Sequence, residues 1–219
     1  VVLSDYANDN LTASFIPEKD YKDKVSEDAV PLSYMFAVTN LVDSSDKINV
    51  SIFGQEWDSF ISPALIEGHY PENDQEVVVD QSFENYGIKL GDAIQLNGSE
   101  TSFKIVGLTK ENKFFTEPVV FTSLTTYWNL QGTTKANRSI SALVLQNDVE
   151  VTGDGLKQIS IQKMISKIPG YTPQVNVFSG MILAMIVITG LIVGIFIYII
   201  TIQKLGLYGI MRAQGIQIK

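Results

Sequence analysis

Hydrophobic and polar positions divide this chain into two unlike parts. Up to about residue 170 the apolar residues come in short runs broken by polar ones, whereas Val177–Ile202 is an unbroken stretch without a charge, between Pro173 and Lys204. At about 1.5 Å per residue those twenty-six residues make a helix of roughly 39 Å, longer than the ~30 Å hydrocarbon layer of a bilayer. A membrane-spanning helix is predicted. Lying behind some 176 residues of mixed sequence, it is placed as an anchor and not as a signal peptide, whose apolar core is shorter and N-terminal.

Within the first part, Leu32–Thr39, Ile48–Phe53, Glu76–Asp80, Ala93–Leu96, Phe103–Leu108, Val119–Phe121 and Ser141–Leu145 are short, rich in β-branched or aromatic residues and bounded by Gly, Pro, Asn or Asp. They read as strands of an α+β or mostly β domain. Between Ile94 and Val106 apolar and polar residues alternate on both sides of Asn97-Gly98, a dipeptide that favours positive φ, so a hairpin is predicted there. Helices are expected over Lys19–Asp28, Gln81–Tyr86, Ser123–Leu130 and Gly155–Ile168. In the last, Ile161, Met164, Ile165 and Ile168 share one face and Asp154 is placed to cap the start. Pro169-Gly170 then breaks the chain. No internal repeat or low-complexity tract is visible. The expected division is 1–176 as an extracytoplasmic domain, 177–203 as the membrane helix and 204–219 as a cytoplasmic segment.

Charge gives that division a direction. All twenty-four Asp and Glu precede residue 177 with thirteen of the sixteen Lys and Arg, a formal charge of −11 on the first part. Lys204, Arg212 and Lys219 follow the helix with no acidic residue among them. Short basic flanks stay in the cytoplasm, which places the large domain outside. An acidic exterior argues against nucleic acid as a partner, because phosphate binding requires a basic face. There is no cysteine, so neither a disulfide framework nor a thiol nucleophile is available. A domain outside the cell needs a route there, and the chain opens on Val1-Val2-Leu3, so an internal fragment of a longer protein is expected, with an upstream spanning helix.

Candidate chemistry is sparse. No G-x-x-x-x-G-K-[ST] phosphate loop occurs, so nucleotide hydrolysis is expected in a separate polypeptide and no enzyme activity in this one. The single histidine, His69, lies in a turn-like Glu67-Gly-His-Tyr-Pro71 and lacks partners for a zinc site or a triad. Glu67, Glu72, Asp74 and Glu76 crowd together, either as solvated loop charge or as ligands for a hard cation. Sequons at Asn10, Asn49, Asn97 and Asn137 bear on function only where surface proteins are glycosylated. In the membrane segment, Gly190 and Gly194 form a small-xxx-small pair that permits close helix packing, though Gly is common in spanning helices. Phe178, Met181 and Met185 share a face near its outer end, as ordinary lipid-facing residues or as a soft wall for a bulky ligand, with Tyr171 the nearest phenol.

Ile66-Glu-Gly-His-Tyr-Pro71, Glu76-Val-Val-Val-Asp80, Gly87-Ile-Lys-Leu-Gly-Asp92 and Phe103-Lys-Ile-Val-Gly107, in that order, resemble the extracytoplasmic domain of the FtsX/MacB-type ABC-transporter permeases. Phe196–Gly215 is similar to the segment in which that family leaves its second membrane helix and turns along the cytoplasmic surface. Thr201-Ile-Gln-Lys204 and Ile168-Pro-Gly-Tyr171 look most like the hemin (heme) exporter permeases of Gram-positive bacteria. The resemblance implies an α+β extracellular domain of the MacB-like periplasmic-core type followed by a transmembrane α-helix. It also implies a four-helix permease working in the lipid bilayer as a homodimer with a cytoplasmic ABC ATPase subunit.

On this resemblance Lys204, Tyr208, Gly209 and Arg212 are assigned to ATPase coupling, with Leu205, Leu207, Ile210 and Met211 as an apolar face on the membrane surface. Heme is expected as a substrate and not as a resident cofactor, with Tyr171, Met181 and Met185 as its candidate ligands. Gln214 stands where a hydrophobic residue is common in the family, and the outer domain is short for docking onto an outer-membrane channel. Other readings of the same architecture are an exporter or sensor of antimicrobial peptides or lipids, and a relay that controls an extracellular cell-wall hydrolase.

Overall fold

Three consecutive valines show how the first part of the chain is built. Val77, Val78 and Val79 are all fully buried in the strand Glu76–Asp80, yet successive side chains leave a strand on opposite faces, so this strand has a core on each side. Val77 and Val79 join one hydrophobic cluster and Val78 joins another. The structure, a computed structural model, describes residues 1–41, 46–147, 149–168 and 170–215. It divides into a unit spanning Val1–Lys167 and a second spanning Ile168–Lys219.

In the first unit the strands are β1 (Val2–Ser4), β2 (Ile16–Pro17), β3 (Ala29–Leu41), β4 (Ile48–Gln55), β5 (Leu65–Gly68), β6 (Glu76–Asp80) and β7 (Ala93–Leu96). They continue with β8 (Ser102–Thr109), β9 (Lys113–Phe114), β10 (Glu117–Ser123), β11 (Ser139–Ile140), β12 (Ala142–Leu145) and β13 (Leu156–Gln158). Three short helices, α1 (Glu18–Tyr21), α2 (Leu124–Leu130) and α3 (Ile161–Ser166), precede the long α4 (Tyr171–Ala213). Pairing runs β13-β1-β12-β3-β4-β10-β6-β8-β5, while β7 pairs with both β3 and β8. The steps β3-β4-β10-β6-β8-β7 therefore return to β3 and close a hydrogen-bonded circuit in which each of these six strands has a partner on both sides, while β13 and β5 remain as the edges of the sheet.

Register decides which residues fill that circuit. Val79 faces Val120, Val120 faces Ile52, and Ile52 faces Met35, while Val78, Phe121, Phe53 and Tyr34 follow in parallel on the other face. Val50, Ile52, Val77, Val79, Ile94, Leu96, Ile105 and Val120 are all completely buried in one cluster. Each such side chain contributes about 1.5–3 kcal/mol of burial free energy. α2 covers this layer: the Ser123 hydroxyl accepts from the Thr126 N–H at 3.0 Å as its N-cap, and the Tyr127 phenol donates to the Tyr34 carbonyl at 3.0 Å. Close approach is possible because residue 54 is glycine, where a Cβ would lie 2.6 Å from Tyr127 Cβ.

All seven expected strands are present, and the 97–98 turn joins β7 to β8 with Asn97 and Gly98 both at positive φ. Of the helical expectations, Ser123–Leu130 is met by α2 with Ser123 as its N-cap, and the other three need correction. Lys19–Asp28 contains only α1 and a 3₁₀ turn at Lys22–Lys24, and Gln81–Tyr86 is a 3₁₀ helix capped by Asp80. Gly155–Ile168 is not one helix: Leu156–Gln158 pairs with β1, and α3 starts after Ser160, whose hydroxyl, not Asp154, accepts from Lys163 N–H at 3.3 Å. Pairing with a distant strand overrides a local helical period. The break expected at Pro169 lies outside the described residues.

Candidate functional site

The expected site residues all lie on α4, and its continuity fixes which of them meet. The helix begins after Gly170, which sits at φ 84°, a conformation glycine adopts without a steric penalty. Pro173 falls inside its first turn and does not bound it, since an amide N–H there has no partner to lose. Forty-three residues at about 1.5 Å make roughly 65 Å, about twice a hydrocarbon layer. α4 is long and apolar enough to cross a membrane, and none of its apolar stretch is buried within the structure. Thr201 Oγ1, in its lower half, donates to the Ile197 carbonyl at 2.7 Å, so this hydroxyl presents no free donor to an apolar surrounding.

At about 100° per residue, Tyr171, Phe178, Met181 and Met185 fall within an arc of about 80°. All four are exposed. Met181 and Met185 lie one turn apart, roughly 6 Å along the axis, whereas Tyr171 is about 15 Å from Met181. One copy of α4 therefore brings the two sulfurs together and holds the phenol away from them. Gly190 and Gly194 lie about 160° round the helix from the methionines, and a Cβ at either would meet nothing. Packing and ligand contact would thus use opposite sides of one helix.

The segment after residue 203 does not turn away but continues α4 to Ala213. Lys204, Tyr208 and Arg212 stand at i, i+4 and i+8 and so share a face, with Gly209 about 60° from Arg212. Of the expected apolar residues Leu207, Ile210 and Met211 share one side and Leu205 falls on the other, so the four do not form one face. Lys219 lies outside the described residues.

Sequence reasoning missed an ionic clamp at the end of the folded unit that leads to α4. Asn8 and Asp9 are both left-handed, at φ 49° and 63°, and turn the almost buried Asp9 carboxylate toward Lys157 at 2.7 Å and Lys163 at 3.3 Å. The hydrogen bond from Lys157, reinforced by Lys163, holds the Asp9 carboxyl below the ordinary carboxylate range. β1 pairs with β13 alongside, Val2 opposite Gln158. These contacts tie the first ten residues to the last turns before α4. Asn and Asp are the non-glycine residues that enter the left-handed region most often, but nothing local in the sequence ties Asp9 to Lys157 and Lys163.

The acidic crowd at 67–76 serves the turn itself: the Glu76 carboxylate accepts from Glu72 N–H at 2.8 Å and Asp74 from the Ser123 hydroxyl at 2.6 Å. The backbone N–H of Glu72 lowers the Glu76 pKa. Among the described residues no three of His, Cys, Asp and Glu gather to hold a metal ion. His69 is exposed, its Nδ1 2.8 Å from the Tyr70 carbonyl oxygen.

The chain is 24% identical over 164 residues to a Staphylococcus epidermidis protein designated, provisionally, hemin transport system permease protein HrtB; the match covers 72% of this chain and 45% of that protein. It is homologous, at low identity, to HrtB-like permeases of the FtsX/MacB type. The chain spans about half the length of the curated relatives it matches. Among solved structures, the extracellular domain of the noncanonic ABC-type transporter YknZ from Gram-positive bacteria superposes with a TM-score of 0.49 at 14% identity, covering 68% of this chain and 82% of that one. The periplasmic region of MacB from Actinobacillus actinomycetemcomitans gives 0.48 at 16% identity, covering 71% and 85%. No family model matches the chain.

Proposed function

We propose that this chain is part of the permease subunit of an ATP-driven ABC exporter, with the unit Val1–Lys167 outside the membrane and α4 crossing it. The observation that carries this reading is the 164-residue similarity to a permease designated for hemin transport, joined to a helix of membrane-spanning length. Heme is the transported molecule, a flat apolar ring that enters between helices from the outer leaflet. Met181 and Met185 contact it on one side of α4, and Tyr171 contacts it nearer the membrane surface or through a second copy of the helix. Gly190 and Gly194 face another helix of the homodimer. At the far end Lys204, Tyr208, Gly209 and Arg212 meet the separate cytoplasmic ATPase subunit.

The test uses the intact permease with its ATPase in nanodiscs. Adding hemin shifts the Soret band, and Met181→Ala with Met185→Ala weakens that shift while the complex still assembles. A spectrum unchanged by the double substitution removes both methionines, and hemin without effect on either spectrum or ATPase rate overturns the substrate. Arg212→Glu with Lys204→Glu is expected to lower co-purification of the ATPase; undiminished recovery would remove these residues from the contact.

A further inference from the structure

A groove of about 660 Å³ opens on the first unit, remote in sequence from every residue assigned above, and its lining joins aromatic rings to carboxylates: Trp57, Phe60 and Tyr70 with Glu27, Glu56 and Asp58. No lysine or arginine contributes to it. Among the described residues none of these three carboxylates has a cationic nitrogen within 4.0 Å, which leaves their charge open to a basic ligand. The rings are held before any ligand arrives. Ser59 and Ser62 donate their hydroxyls to the Glu56 and Trp57 carbonyls, and the Tyr70 phenol donates to the Pro63 carbonyl at 3.0 Å. Phe60 and Tyr70 remain 39% and 40% exposed, so their ring surface is open to a ligand.

We propose that this groove binds a basic, aromatic-rich peptide segment. Cationic side chains would reach Glu27, Glu56 and Asp58, and the apolar parts of the same segment would cover Trp57, Phe60 and Tyr70, where a guanidinium also gains from the ring faces. Geometry disfavours a compact ammonium ion. Trp57 and Tyr70 have centroids 6.0 Å apart at 38°, too close to admit a cation between them, so the rings form a floor and not a cage. A floor beside a row of charges suits an extended ligand whose alternate side chains reach different partners.

The site is independent of the heme reading, and the experiment separates the two. The intact permease in nanodiscs of neutral lipid is titrated with a fluorescent peptide of alternating Arg and Trp, and with its Glu-for-Arg counterpart. Saturable binding of the basic peptide alone is expected, weakened about fivefold by Glu56→Gln with Asp58→Asn and about tenfold by Trp57→Ala. The hemin-induced Soret shift should stay unchanged in these variants. The carboxamide pair is isosteric and exposed, so a thermal melt matching the parent confirms that the loss is local. Equal affinity in parent and carboxamide variants, equal affinity for the acidic peptide, or displacement by millimolar tetramethylammonium would overturn the proposal, the last by showing a small-cation site.

Discussion

The two units of this chain place the same kinds of residue in opposite ways. In Val1–Lys167 isoleucine, valine and phenylalanine point into a closed circuit of strands, and Ile52, Val79 and Ile105 are wholly hidden. In α4, Ile182, Leu191 and Phe196 each keep about 60% of their surface open, on every side of the helix. The first arrangement is what water imposes on a chain with mixed patterning, and the second is what a chain offers when the surrounding medium is itself apolar.

The largest effect should come from making one unit obey the other's rule. A lysine at Leu191, near the middle of α4, costs about 2.5–3.5 kcal/mol of insertion free energy. In this chain expressed without further membrane helices, Leu191→Lys should shift it from the alkali-resistant to the alkali-extractable fraction while the first unit keeps its melting temperature. Next in size is a matched pair of truncations. Ile105→Ala empties a completely buried position and should cost about 2–5 kcal/mol of domain stability in urea unfolding, whereas Ile186→Ala on exposed α4 should leave that unfolding curve in place. Equal shifts for both would erase the distinction between the units.

The strands of the first unit were legible because alternation and β-branched runs are local signals, as in Glu76–Asp80 and around Asn97-Gly98. The circuit was not, because it depends on parallel pairing of β4 with β10 and of β6 with β8, which links residues far apart in sequence. The segment 155–168 misled for a related reason: its apolar period was real for Ile161–Ser166, but Leu156–Gln158 is claimed by β1 from the other end of the domain. On α4 the helical period alone places Met181 beside Met185 and puts Lys204, Tyr208 and Arg212 on one face. The acidic aromatic groove gathers Glu27, Trp57 and Tyr70 from three separate segments, and no spacing rule could have joined them.

Two smaller predictions sharpen the comparison within the folded unit. Asp9 has a carboxyl pKa lowered by Lys157 and Lys163, so its contribution to stability is present above the ordinary carboxylate range and is lost as pH falls through the depressed folded value. Asp9→Asn should therefore destabilise the unit at neutral pH, and its melting curve should converge on the parent's in strong acid. A difference that persists unchanged at low pH would assign the effect to the left-handed backbone and not to charge. Tyr127→Phe removes a phenol that donates to the Tyr34 carbonyl and accepts from Gln131 Nε2 at 2.8 Å, in a site where burial raises its pKa to about 12. It should cost about 1 kcal/mol, read as a small shift of the urea midpoint.

Because the strands β3, β4, β10, β6, β8 and β7 are bonded in a ring, no member can peel away without breaking ladders on both of its sides. A tug delivered at any one strand is therefore shared around the hoop, and the strands resist it together instead of unzipping one at a time.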